Sequence, residues 1–233
     1  MKKKILSALL LSLFLCSLLP IASACSQPPS TQPPTGNCTY QNGVCTICGA
    51  TEGLEYTTTS DGFLRVSVGT AKDAVNIVIP ETHSGVKVTE IKAYGFKNCA
   101  ALESVTIPDS VTKIGSWAFT ECAKLKTVTL SKNLKTIGEG AFNACSSLKN
   151  VTLPEGVTSI GGWAFYKCTS LTSIIIPLSV EQIDSFAFAA IPGLGLKVRA
   201  QTKPAGWVYN WYYEGSREAQ GLWIKWNYID QND

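Results

Sequence analysis

The chain has 233 residues, 45% of them hydrophobic, and it carries 20 Lys and Arg residues against 17 Asp and Glu residues. Three of the lysines lie in a leader described below, so the processed chain is expected to have no net charge, which argues against nucleic acid as a partner. The single histidine, His83, and the lack of a glycine-rich phosphate loop or a recurring pair of acids argue against an enzyme, so we expect no catalytic residue and no cofactor.

The N-terminus is predicted to direct export. A charged start, Met1-Lys2-Lys3-Lys4, precedes an apolar stretch and small residues, which is typical of a secretory signal peptide over residues 1–24. The following Cys25 has two interpretations: it receives lipid, or it is a spare thiol after ordinary cleavage. We favour lipid attachment, because a cysteine at the cleavage point followed by a tether is typical of a membrane-anchored lipoprotein, and more than one acyl chain gives stable anchoring. Without the lipid the protein would be secreted.

Residues 25–37 form a predicted tether rich in Pro, Gln, Ser and Thr, with no side chain able to enter a core. The small segment 38–50 then carries Cys38, Cys45 and Cys48. The C-x2-C pair resembles half of a zinc knuckle, but no fourth Cys or His ligand lies nearby. We therefore favour a disulfide-pinned loop, with Cys38 paired to Cys45 or to Cys48, and expect no metal.

Residues 51–90 are predicted to form an N-terminal cap. Apolar residues alternate with polar ones on either side of Asp61-Gly62, a pair that favours a primed hairpin turn. An atypical first repeat follows, with five extra residues between Pro80 and Val88, among them His83. An unusual terminal unit is expected where a stack of repeats would otherwise expose its end.

Residues 91–198 repeat with a step of 23. The recurring positions are those of Ile91, Ile114, Ile137, Ile160 and Ile183, of Phe96, Phe119, Phe142, Phe165 and Phe188, and of Cys99, Cys122, Cys145 and Cys168. A period of this length means that one small unit stacks on copies of itself to bury a shared apolar face.

Within one unit, Val105 and Ile107 alternate with polar residues and predict a strand, which Pro108 ends. A bend and a short extended piece follow, and the spacing within Trp117–Cys122 favours a tight helical or irregular turn. Stacked units would place equivalent residues about 4.8 Å apart, the distance between neighbouring strands.

The segment Ile114–Leu125 reads I-G-x-x-A-F-x-x-C-x-x-L and is similar to the repeat of BspA-like leucine-rich-repeat surface proteins. The resemblance extends over residues 54–228. It implies an α/β-type solenoid: a right-handed coil with a parallel β-sheet, short helical or irregular turns on the other side, and atypical units at both ends. It also implies a non-catalytic, monomeric surface protein for adhesion or protein recognition.

Two further expectations concern the cysteines and the end of the array. The four repeat cysteines lie where leucine-rich repeats commonly place Asn or Cys, and we expect buried free thiols, with disulfides between neighbouring units as the alternative. The last unit departs from the pattern, since Ile191 replaces Cys and the strand slips by one residue to Leu196 and Val198.

Residues 199–233 are dense in aromatic side chains and are predicted to form the C-terminal cap. Such residues could instead form a carbohydrate platform, but sealing the open end of the solenoid is the favoured interpretation. The stretch Leu222–Tyr228 is expected to add a final strand.

Two rows of outward-facing residues are candidates for binding an extracellular or host protein, or a surface glycan. The first is a flat polar face on the predicted strands; its members are Ser104, Thr106, Lys126, Thr127, Thr129, Lys149, Asn150, Thr152, Ser173 and Ile175. The second is an aromatic row that either packs on the turns or forms an exposed stripe, and its members are Tyr94, Trp117, Trp163 and Phe186. The first favours protein recognition, and the second favours the alternative function, glycan capture.

Overall fold

A computed structural model describes residues 39–212 and 223–226, and all structural statements concern these residues. The predicted leader, the lipid-attachment residue Cys25, the tether and Cys38 lie outside them. Within the described part of the chain, no helix is long and apolar enough to cross a membrane.

The described residues contain sixteen short strands and one 3₁₀ helix, Ala71–Asp73. The strands before the regular array are β1 (Tyr40–Gln41), β2 (Val44–Cys45), β3 (Glu55–Thr58), β4 (Leu64–Ser67), β5 (Asn76–Val78), β6 (Thr82–His83) and β7 (Val86–Ile91). Those that follow are β8 (Ser104–Thr106), β9 (Lys113–Ile114), β10 (Thr127–Thr129), β11 (Thr136–Ile137), β12 (Ser159–Ile160), β13 (Ser173–Ile176), β14 (Gln182–Ile183), β15 (Gly195–Val198) and β16 (Trp223–Lys225).

The array is a parallel β-solenoid. What we call the first sheet has two three-stranded parallel parts, β5, β8 and β10 and, further along the chain, β13, β15 and β16; the rung between them has no strand and joins β10 only through an isolated bridge of Asn150 with Thr127. Its register joins equivalent residues of successive rungs, for example Val105 with Val128. The predicted parallel sheet and stacked repeat are confirmed. The register of β15, the last strand of the array, also slips by one residue as expected: Leu196 pairs with Ile174, which is 22 residues earlier instead of 23.

A second parallel sheet forms where the sequence indicated only a short extended piece. Strands β4, β7, β9, β11, β12 and β14 follow one another in this second sheet, with Ile114 paired to Ile91 on one side and to Ile137 on the other. After β7, each strand of this second sheet is only two residues long, too short to show an alternating pattern. The helical component of the predicted fold is correspondingly small, since the 3₁₀ turn is the only helix in the part of the chain described.

The turns after the second sheet are irregular rather than helical. Trp117 N–H donates to the Glu139 carbonyl of the next rung (2.6 Å), and Phe119 N–H donates to the Ala141 carbonyl (2.8 Å). The intervening Ala118 N–H instead bonds back to Gly115 within its own turn (3.3 Å). Each turn therefore shares its backbone hydrogen bonds between the next rung and itself, which satisfies polar groups that burial would otherwise leave unpaired.

The interior consists of columns of identical side chains. The five repeat phenylalanines are at most 1% exposed and stack on one another, with ring centroids 5.0 to 5.4 Å apart. Ion pairs also join neighbouring rungs at the 23-residue step, as in Lys113–Glu90 (3.0 Å) and Lys132–Asp109 (3.3 Å). Exposed pairs of this kind add little free energy each, so the apolar columns hold the stack together.

The N-terminal end is covered by the predicted hairpin, whose strands β3 and β4 pair antiparallel. The expected primed turn is wrong: Gly62 has φ +83°, but Asp61 does not have a positive φ. Instead Gly62 N–H donates to the Thr59 carbonyl (3.2 Å) and Thr59 N–H to the Phe63 carbonyl (2.8 Å), the pattern of a three-residue loop ending in a left-handed glycine.

The five extra residues of the first repeat also form a hairpin. Strand β6 pairs antiparallel with β7, and the connecting Ser84 and Gly85 both have positive φ. The ring of His83 stacks on Tyr56 of the cap with centroids 4.0 Å apart. The histidine thus packs against the terminal hairpin.

The C-terminal end is closed by two buried tryptophans, as expected for a seal. Trp207 and Trp211 are 2% and 1% exposed, and Trp211 packs edge-on against Phe188, the last ring of the phenylalanine column (5.9 Å). The predicted final strand is also present as β16, which pairs with β15. Tyr213 and Tyr228, which belong to the same aromatic segment, lie outside the described residues.

Candidate functional site

The first sheet presents one side to the core and the other to solvent. Val105, Val128 and Ile174 point inward and are at most 6% exposed. All the residues of the predicted polar face are exposed except Ser104 and Ile175, which are half-buried. The ten residues form two rows along the solenoid, mostly of Ser, Thr and Asn side chains, and we call this surface the polar face. Equivalent residues pair without a register shift between β8 and β10, whereas the predicted strand at Asn150 and Thr152 is replaced by a single bridge from Asn150 to Thr127.

Charge on the polar face is mainly positive. Lys126 Nζ lies 2.8 Å from Glu103 Oε2, and the hydrogen bond from this lysine lowers the pKa of the Glu103 carboxyl. The slipped register brings two further lysines into line with Ile175, since Ile175 pairs with Lys197 and Lys197 pairs with Lys225. These two residues were not among the predicted ones. The slip to Leu196 and Val198 was visible in the sequence, and it implied that Lys197 takes the outward position.

The aromatic row lies on the turns that follow the second sheet. Tyr94 is 56% exposed, while Trp117, Trp163 and Phe186 are half-buried, so both interpretations hold in part: the rings pack on the turns and also face solvent. All four residues have φ between 54° and 59°, a left-handed conformation that bulky side chains rarely adopt. At the equivalent position of the remaining rung stands Gly140, and glycine is the residue best suited to that conformation.

Gly140 makes room for the tryptophan of the preceding rung. A Cβ atom at Gly140 would lie 2.3 Å from Cε3 of Trp117. Replacing Gly140 by alanine therefore adds the cost of a left-handed conformation and displaces the Trp117 ring.

We expect Gly140→Ala to lower the free energy of unfolding by about 1–3 kcal/mol and to change the near-ultraviolet circular dichroism of the tryptophans. The matched control is Gly193→Ala, which has the same kind of backbone (φ +69°) but no atom within 4 Å of the new Cβ. Equal effects on stability and spectrum in the two variants would contradict the contact with Trp117.

A shallow open cleft of about 280 Å³ lies beside Trp163. Its lining is Glu139, Gly162, Trp163, Asp184 and Ser185, all from three successive turns. Gly162 contributes no side chain, and a Cβ there would lie 3.0 Å from the Ser185 carbonyl oxygen and 3.7 Å from Cβ of Asp184. Sequence reasoning found Trp163 but missed both acids; the signal was that Asp184 stands where earlier rungs have Gly115, Gly138 and Gly161.

The four repeat cysteines form a buried column of free thiols, each 0% exposed. The Cys122, Cys145 and Cys168 thiols each donate a hydrogen bond to the carbonyl of a phenylalanine in the preceding rung, at 3.0 to 3.1 Å. Burial raises the pKa of Cys145 to about 12 and the pKa of Cys168 well above the usual range. The pKa of Cys122 is also raised, first by its hydrogen bond with Cys99 and then by burial.

The three thiols with raised pKa values, Cys122, Cys145 and Cys168, predict a loss of stability in alkali. A folded-state pKa above the unfolded value, which is about 8.5 for cysteine, gives stability that is complete below pH 8.5 and falls as pH rises towards the folded pKa. The expected slope is about 1.4 kcal/mol per pH unit for each thiol. Urea unfolding of wild type and Cys145→Ala between about pH 9 and pH 11 should show the shallower slope in the variant. Because lysines and tyrosines titrate equally in both proteins, identical slopes would contradict a buried, protonated Cys145.

The N-terminal cysteine segment is joined to the N-terminal cap, because Val44 forms a bridge with Thr51 and Thr51 bonds in turn to β5. Thr51 N–H donates to the Val78 carbonyl and Val78 N–H donates to Oγ1 of Thr51, both at 2.9 Å. Cys45 is buried and Cys48 is half-buried, whereas Cys38 is outside the described residues, so the disulfide stays a prediction. In the described part of the chain, no group of three or more His, Cys, Asp or Glu side chains is placed to hold a metal ion.

Comparison with known proteins identifies the repeat. Residues 73–194 match the BspA type leucine rich repeat region in six copies. A T. pallidum leucine-rich-repeat protein of known structure is 29% identical with a TM-score of 0.65, and the match covers 76% of this chain and 80% of that one. No curated protein matches the sequence.

Two structures from other bacteria have TM-scores of 0.55. A Bacteroides ovatus leucine-rich-repeat protein is 29% identical over 63% of this chain, and a Faecalibacterium prausnitzii leucine rich cell surface protein is 31% identical over 65%. This chain spans only 39% and 40% of those two proteins. The family match covers more than half of the sequence, and the chain therefore belongs to the BspA type leucine-rich-repeat family.

Proposed function

We propose that the protein is a non-catalytic bacterial surface protein that uses its polar face to recognise a partner protein. The observation that carries this proposal is the exposed face of the first sheet, on which two rows of hydroxyl and amide side chains run along successive rungs beside lysines. Broad, regular faces of this kind are the binding surfaces of other solenoids.

The relatives support a surface location. The Faecalibacterium prausnitzii structure is named as a cell surface protein. A pneumococcal vaccine antigen, PcpA, shares the fold at 18% identity and a TM-score of 0.55.

We further propose that lipid on Cys25 holds the protein at the membrane, with residues 25–37 as the tether. Supporting this are the small residues before Cys25 and the absence of core-forming side chains after it. Expression of wild type and Cys25→Ser in a bacterium fed a labelled fatty acid tests the proposal. The expected result is that only the wild type carries the label and that the variant is released from membranes. An unlabelled wild type that is retained on membranes as well as the variant would contradict the proposal.

Recognition by the polar face is tested with a library of extracellular proteins displayed on an array. The processed chain is expected to bind a subset of them, and Lys126→Ala combined with Thr129→Ala is expected to weaken that binding. The matched control is Lys132→Ala combined with Thr136→Ala, which lie later in the same rung, before and within β11 of the second sheet. Equal binding by both double variants would contradict the assignment of the face.

The second candidate function is glycan capture by the aromatic row. The half-exposed rings of Trp117 and Trp163 favour it, because indole rings stack on apolar faces of ligands. Selective binding on a glycan array that is lost in Trp117→Ala and Trp163→Ala, but kept in the Lys126 and Thr129 double variant, would establish this function in place of protein recognition.

A further inference from the structure

The cleft beside Trp163 carries two carboxylates that form no ion pair within 4.0 Å in the part of the chain that the structure describes. Among the acids of the described array, Glu103, Asp109, Glu121 and Glu155 each form an ion pair within 4.0 Å. Glu139, Glu181 and Asp184 form none within the residues described. Two of these three, Glu139 and Asp184, line the same cleft.

The cleft also offers aromatic surface to a ligand. The Trp163 ring packs at a tilt against Phe186, with centroids 5.6 Å apart, and remains half-exposed. Gly162 lines the same cleft without contributing a side chain. The face of an indole ring attracts cations, so the ring and the two carboxylates favour the same class of ligand.

The size and chemistry of the cleft restrict that ligand. A volume of about 280 Å³ is just below the usual range of small-molecule sites, which suits a group the size of one side chain. A neutral sugar would leave both carboxylates without a counter-charge. A guanidinium group is planar and weakly hydrated, stacks on aromatic rings, and carries five N–H donors for carboxylate and carbonyl oxygens.

We propose that this cleft binds the guanidinium group of an arginine side chain on a partner polypeptide. The guanidinium lies against the Trp163 indole and donates hydrogen bonds to the carboxylates of Glu139 and Asp184. The site is formed by turns after the second sheet and contains no residue of the polar face, so it goes beyond the function proposed above and does not depend on it.

The test is an NMR titration of the ¹⁵N-labelled processed chain with three capped tripeptides, Gly-Xaa-Gly. Xaa is arginine, lysine, or citrulline, the uncharged analogue of arginine with nearly the same shape. The arginine peptide is expected to shift the backbone signals of Gly162, Trp163 and Ser185 and the indole N–H of Trp163. Citrulline is expected to bind at least about fivefold more weakly, and lysine to lie between the two.

Variants of the acidic residues test whether the cleft carboxylates bind the arginine peptide. Glu139→Gln and Asp184→Asn preserve size and are each expected to weaken arginine binding about fivefold, with well-dispersed spectra showing that both remain folded. Glu181→Gln is the matched control, because it removes an unpaired acid from the same end of the array but not from the cleft. Lys126→Ala should leave the titration unchanged, which separates this site from the polar face.

The proposal is overturned if citrulline binds as well as arginine, or if Glu181→Gln weakens binding as much as the cleft variants, since the attraction would then be non-specific. It is also overturned if no shift occurs up to the solubility of the arginine peptide. Stronger binding of a simple sugar at the same signals would assign the cleft to glycans instead.

Discussion

Phe142→Ala is expected to destabilise the protein by about 3–5 kcal/mol. Phe142 is fully buried in the middle of the array, and its ring stacks on Phe119 at 5.4 Å and on Phe165 at 5.3 Å. Truncation removes both ring contacts and leaves a cavity between two rungs, each of which depends on its neighbours for burial. The loss is measured as the change in the free energy of unfolding in urea.

Two controls sharpen this measurement. Phe142→Leu retains most of the volume and should recover more than half of the loss. Tyr94→Ala removes an aromatic residue that is 56% exposed and should change stability by no more than about 0.5 kcal/mol. A loss below about 1 kcal/mol for Phe142→Ala would contradict a continuous phenylalanine column.

Trp207→Ala is expected to cost a similar amount, about 3–5 kcal/mol, because the C-terminal end of the solenoid would be left open. The indole of Trp207 is buried against Trp211 with ring centroids 5.0 Å apart. Its Nε1–H donates to the Val180 carbonyl at 3.1 Å. Truncation therefore leaves a buried carbonyl unpaired in addition to removing apolar contacts.

The matched control for the cap is Tyr209→Ala, two residues away and 87% exposed. It should leave the midpoint of thermal unfolding nearly unchanged. Hydrogen exchange adds a second measurement: in Trp207→Ala, protection should fall first in β14 and β15 and least in β8 and β9. Uniform loss of protection, or equal effects of the two variants, would show that the tryptophan does not act as an end cap.

The columns of the solenoid could be predicted from the sequence, because each buried position recurs with the same residue type. The second sheet could not. Its strands in the array are two residues long, and one isoleucine per strand gives no alternation to recognise. The backbone of the turns was equally hidden, since tryptophan and phenylalanine occupy left-handed positions where glycine is the usual choice. Only Gly140 in that column indicated it.

The candidate sites show the same division. The polar face followed from the strand pattern, and all its residues except Ser104 and Ile175 are exposed as the alternation requires. The cleft depends instead on differences between rungs: Gly162 has lost its side chain and Asp184 replaces a glycine. A search for recurring residues overlooks such differences, because each occurs in only one rung. Their proximity across three rungs becomes visible only when the rungs are stacked.

Deletion of one repeat tests the central claim, an array of interchangeable rungs, most directly. Removing residues 116–138 takes out one 23-residue period and joins Gly115 to Glu139, the residue that follows the equivalent Gly138. This variant should unfold cooperatively and be shorter by about 4.8 Å in small-angle X-ray scattering. Removing residues 116–135, which is three short of a period, should instead misalign every following column and abolish cooperative unfolding. If the two deletions behaved alike, the stacked-rung account would be wrong.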